Sequence, residues 1–139
     1  MFRITSLLLM LGLVTTVAGA PLPEKVEPKE RAVPKELLQA QLEAAQDVFK
    51  ARWAEFMAGR STGDEVQVWA RRLLDARLPL AATRAERVAS CKEYLDQMKE
   101  WEKLAKARYD AGRVSIAEYK AASYYRIEAE ILLFKSEAK

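Results

Sequence analysis

Two stretches of this chain, FMAGRSTGDEVQVWARRLLDARL at 56–78 and YDAGRVSIAEYKAASYYRIEAEI at 109–131, read alike when the sequence is shifted by 53 positions. The shift aligns Phe56 with Tyr109, Ala58-Gly59-Arg60 with Ala111-Gly112-Arg113, Thr62 with Ser115, and Glu65 with Glu118. With no gap it also carries Leu42 onto Leu95, Lys50 onto Lys103 and Ala76 onto Ala129. A glycine, then a hydroxyl residue, then an acid three positions later is the chemistry of one helix stopping and another starting. Turn chemistry alone would not align the flanks, so the shift implies a duplicated helix-turn-helix hairpin.

The flanks agree with that reading. Leu38, Leu42, Ala45, Phe49, Trp53 and Phe56 recur at steps of three and four, which places them on one stripe of a first helix ending near Ala58. Thr62 with Glu65 opens a second helix as a capping box, and Val66, Trp69, Leu73 and Ala76 are its expected inward residues. Pro79 ends it or kinks it. Thr83 with Glu86 repeats the capping pattern, so a third helix starts near Arg84, or one kinked helix runs through. Its inward face is Val88, Cys91, Leu95, Met98 and Ala105, and Gly112 supplies the turn at its end. Ser115 and Glu118 open the fourth helix, with Ile116, Ile127, Ile131 and Phe134 expected inside. No segment alternates with period two between turn signals, so strands are not expected. The expected fold is all-α: two antiparallel hairpins, about 38–78 and 91–131, packed as a four-helix bundle or an elongated coiled-coil-like arrangement. Helices of roughly 30 to 40 Å are expected at about 1.5 Å per residue, with both glycine turns at one end.

Ahead of this domain, at 35–139, lie two segments of different character. Residues 1–20 show an early cation at Arg3, an apolar run from about Leu7 to Val17, and small residues at Ala18, Gly19 and Ala20, the layout of a signal peptide cut after Ala18 or Ala20. The apolar run falls short of the roughly 20 residues a bilayer requires. Residues 21–34, PLPEKVEPKERAVP, hold four of the five prolines among charged residues and read as an extended linker. Lys plus Arg is 23 against 20 Asp plus Glu, a balance that gives no concentrated cation excess for nucleic acid. With no histidine and one cysteine, Cys91, the commonest zinc sites and nucleophile-base pairs cannot be assembled. Cys91 falls on an apolar helical face and reads as a core thiol, with an intermolecular crosslink as the alternative. The mixed charges of KEYLDQMKEWEKLAK, 92–106, read as solvated faces, and the arginines around the second helix likewise.

The turn pattern resembles the periplasmic tip motif of TolC-like outer-membrane efflux proteins, a family with an internal duplication. Its units read aromatic, two residues, Gly, then Ser or Thr, two residues, an acid, and later a helical Ala. Tyr109, Gly112, Ser115, Glu118 and Ala122 match in the second unit; Phe56, Gly59, Thr62 and Glu65 match in the first, where Trp69 replaces the alanine. The acids are Glu where the family usually has Asp. The strands and length with which family members build a trimeric barrel and tunnel are not in this sequence, so the resemblance implies an isolated hairpin domain.

The resemblance further implies export to the periplasm or cell envelope of a Gram-negative-type bacterium. It implies action by protein contact rather than catalysis, with a periplasmic adaptor or another copy of the chain as partner. Phe56, Gly59, Arg60, Thr62, Glu65, Tyr109, Gly112, Arg113, Ser115 and Glu118 are the candidate contact residues. The alternative function is a periplasmic chaperone-like or stress-binding module. No cofactor, metal, nucleic acid or small-molecule substrate is expected, and membrane association is left open.

Overall fold

A computed structural model describes residues 32–138. The signal-peptide reading at 1–20 and most of the linker at 21–34 lie outside that range. From Ala32 the backbone is irregular as far as Pro34, whose φ of −56° and ψ of 137° hold it extended where the first helix begins. Four helices follow: α1 (Lys35–Met57), α2 (Gly63–Arg77), α3 (Arg84–Asp110) and α4 (Ile116–Ala138). No strand occurs among the described residues.

Both glycine turns form as their chemistry dictates. Gly59 and Gly112 sit at φ +72° and +67°, a left-handed conformation that side-chain-bearing residues adopt at a cost. In the first turn Gly59 N–H donates to the Phe56 carbonyl at 3.0 Å and Arg60 N–H to the Glu55 carbonyl at 2.8 Å. In the second, Gly112 N–H donates to Tyr109 and Arg113 N–H to Arg108, each at 2.8 Å. These paired bonds satisfy carbonyls that a helix end leaves open, and their repetition makes the two turns local copies.

The helix starts are less uniform than the sequence suggests. Only at α3 does the full capping box close: Glu86 N–H donates to Thr83 Oγ1 at 3.2 Å, and the Glu86 carboxylate accepts Thr83 N–H at 3.0 Å. It also accepts Ala82 N–H at 2.7 Å, and these two backbone bonds hold the Glu86 carboxyl below its ordinary pKa. At α2 and α4 only the hydroxyl half forms, with Glu65 N–H donating to Thr62 at 3.4 Å and Glu118 N–H to Ser115 at 3.2 Å. The Glu65 carboxylate is taken instead by the hydroxyl of Ser61.

Pro79 breaks the chain rather than kinking it. A single 3₁₀ turn, Leu78–Leu80, closes α2, and the backbone is extended at Ala81 and Thr83 before α3 begins. The one-kinked-helix alternative is therefore excluded. At 15 residues α2 is about 22 Å long, shorter than expected, because the proline stops it.

Each hairpin packs antiparallel, α1 on α2 and α3 on α4, and α2 lies against α3 to join them in an all-α bundle. The core holds Phe56, Val66, Ala70, Leu74, Cys91, Tyr94, Leu95, Met98, Trp101, Ala105, Ala122 and Ala129. Ala45, Leu73 and Ala76 form a smaller cluster between α1 and α2. Cys91 is buried within the larger cluster, where its helical face places it. The stripes expected for α1, α2 and α3 face inward for the most part, but Leu38 and Val88 are half-buried outside the core, Trp69 lies half-buried beneath Arg72, and α3 also buries Tyr94 and Trp101, outside its expected stripe.

α4 corrects the sequence reading. Ile116, Ile127, Ile131 and Phe134 are exposed, and the helix instead presents Ala122 and Ala129, flanked by Tyr119, Tyr125, Leu132 and Leu133. α3 already fills the shared layer with Trp101, which is wholly buried and stacks on Tyr125 at 5.6 Å between ring centroids. A partner helix packs against so large a side chain most closely with alanine, so the small face wins over the more apolar one.

Candidate functional site

Both turns lie at one end of the bundle, side by side. A cleft of about 400 Å³ there is lined from both hairpins, by Met57, Gly59, Ser61 and Thr62 of the first and by Arg108, Arg113, Val114 and Glu118 of the second. Arg108 is the link between the hairpins. Its Nη2 donates to the Phe56 carbonyl at 2.7 Å, and its guanidinium lies 4.1 Å above the centre of the Phe56 ring. One side chain of α3 thus caps the C-terminus of α1 with a charge-assisted hydrogen bond and a cation–π contact.

The ten candidate contact residues divide by exposure. Phe56 is buried and belongs to the core, so its side chain is not offered to a partner. Gly59, Arg60, Thr62, Glu65, Gly112, Arg113 and Ser115 are exposed, Tyr109 is exposed along one edge, and Glu118 is half-buried in the cleft. Tyr109 stacks on Tyr119 at 5.7 Å, which fixes its ring as a rigid surface element. The Thr62 and Ser115 hydroxyls cap the starts of α2 and α4 by accepting the N–H groups of Glu65 and Glu118.

Charges at this end are mixed. The C-termini of α1 and α3 and the N-termini of α2 and α4 meet there, so helix dipoles of opposite sense lie side by side. Asp64, Glu65 and Glu118 sit in the opening turns of α2 and α4, and Arg108 in the last turn of α3, each complementing its own helix end. Arg52 pairs with Glu55 at 2.8 Å and lies 3.7 Å from Glu65. Arg60 and Arg113, one from each copy of the turn, are the arginines that project from the tip. Among the described residues no cluster of three metal-ligating side chains forms, and no helix is long and apolar enough to cross a membrane.

Compared with protein families, curated proteins and solved structures, the chain matches none.

Two residues that organise this end were not legible as such. Gly63 is buried in the first turn of α2, so close to Trp101 that an added Cβ would sit 2.3 Å from the indole Nε1 and 2.5 Å from two ring carbons. Its counterpart under the 53-residue shift is the exposed Ile116, so the two hairpins differ at the point where they contact each other. Arg108 reads in sequence as a cation at its own helix end. Only the fold shows that it reaches the other hairpin.

Proposed function

We propose that this chain is an exported TolC-like helical domain that acts by protein contact through its glycine-turn end, as an accessory or diverged component of an envelope assembly. The observation that supports this is the pairing of two duplicated turns at one end, locked together by Arg108, with Tyr109, Arg60 and Arg113 left outward. Arg71 pairs with Asp75, Arg77 with Glu93, and Arg126 with Glu102 and Glu130, whereas Arg60 and Arg113, like Arg84 and Arg87 at the start of α3, stay exposed outside the ion pairs. The tip therefore combines an aromatic edge held by stacking on Tyr119 with two exposed guanidinium groups, residue types that recur at protein-binding surfaces. By the resemblance, the partner is a periplasmic adaptor.

The test is site-directed photocrosslinking from Arg60 in cells, with the chain followed by envelope fractionation. The expected result is a discrete adduct in the envelope fraction, lost in the Gly112→Ala/Arg113→Glu variant. An adduct that survives this double substitution, or a chain that stays in the cytosol, overturns the reading.

A further inference from the structure

The face of α4 that turns away from the core carries Tyr124, Ile127, Ile131 and Phe134, exposed to 62%, 46%, 49% and 72% of their surface. Their spacing of three, four and three is that of alternating a and d positions over two heptads. Ala122 and Ala129, buried against α3, lie on the opposite side of the same helix at the f positions. α4 is thus apolar on two opposed faces, and the fold uses one of them. A helix apolar on both sides is built to be covered on both.

We propose that the second face is covered by the same face of a second copy of this chain, with the two α4 helices parallel. The charges bordering the seam select both occupant and direction. With Tyr124 and Ile131 at a, the g position is Glu130, whose carboxylate also meets Arg126 of its own helix at 2.8 Å, and the next e position is Lys135; both are exposed. In a parallel pair, g of one helix faces the following e of the other, so Glu130 meets Lys135 of the second copy, twice by symmetry. In the antiparallel alignment that best overlays the seam, Glu128 faces Glu128 and Glu130 faces Glu130, which repel. The remaining flank positions, Ala121, Ser123, Glu128 and Glu137, form no like-charged pair in the parallel register. The apolar stripe is one a/d seam wide, bordered by Ser123, Glu128, Glu130, Lys135 and Glu137, the width at which one partner helix covers it. The seam lies on α4 and is separate from the tip, so the two proposals stand or fall independently.

Sedimentation equilibrium of the full chain tests this. The expected result is a reversible association to a mass of two chains at tens of micromolar, lost in Ile127→Asp with the far-ultraviolet circular dichroism unchanged. Glu130→Lys and Lys135→Glu should each raise the dissociation constant several-fold, and the two together should restore it. Phe134→Cys should self-crosslink on mild oxidation, because a parallel seam places residue 134 opposite its own copy within the roughly 4 Å between Cβ atoms that a disulfide spans. A monomer at all concentrations, a mass of three or more chains, or association that survives Ile127→Asp overturns the proposal. So does crosslinking that requires cysteines at 124 and 134 together, the signature of antiparallel helices.

Discussion

Gly63→Ala is a small change at a position where the fold leaves no room. In a helix elsewhere, alanine in place of glycine adds up to about 1 kcal/mol, and somewhat less in a first turn. Here the new Cβ would lie 2.3–2.5 Å from three atoms of the Trp101 indole. That ring is wholly buried and stacked on Tyr125, so it cannot swing aside as the end of a flexible side chain would. Either α2 moves off α3 or the indole leaves its place, and overpacking of this kind costs about 1–3 kcal/mol. We expect a net loss of about 1.5 kcal/mol once the helix-propensity gain is subtracted, which lowers Tm by about 6 °C or more in a domain near 100 residues. Urea and thermal denaturation followed by circular dichroism measure it. Gly63→Ala combined with Trp101→Phe should recover part of the loss, since the smaller ring removes the atoms in conflict, and this coupling distinguishes a clash from a general effect. A Gly63→Ala protein as stable as the parent, or more so, would refute the argument that this contact sets the spacing of the two hairpins.

Gly59→Ala and Gly112→Ala meet no atom within 4 Å, so their expected cost is the left-handed backbone alone, about 1 kcal/mol each by the same denaturation assay. Arg108→Ala removes the hydrogen bond to Phe56 and the contact with its ring; we expect a loss of about 2 kcal/mol in urea titration, with Arg108→Lys failing to restore it fully because the planar fork is missing. Burial pushes the Tyr94 hydroxyl above its ordinary pKa, so the folded state favours the neutral phenol. Its contribution is fully present below the unfolded phenol pKa and is lost as pH rises through the folded one. Tyr94→Phe should therefore flatten the alkaline limb of the stability–pH curve. Glu86 runs the other way: its lowered pKa gives stability present above the unfolded carboxyl pKa and lost as pH falls through the folded one, and Glu86→Gln should blunt that acid limb.

The sequence determined the local events, because each depends on a few neighbouring residues. Gly59 and Gly112 specify left-handed turns, Thr62, Thr83 and Ser115 specify helix starts, and the 53-residue shift places both hairpins in one register. Most of the inward residues of α1, α2 and α3 were legible for the same reason, although Tyr94 and Trp101 of α3 were not among those expected inside. What only the tertiary structure decided involves partners distant in sequence. α4 has two apolar faces, and the choice between them fell to the bulk of Trp101 on its neighbour, which favours alanine over isoleucine at the contact. Gly63 acts through that same indole, 38 positions away, and Arg108 acts on a carbonyl 52 positions away. Helical periodicity records that a face is apolar but not which neighbour it meets, and that information resides in the sizes of side chains brought together by the fold.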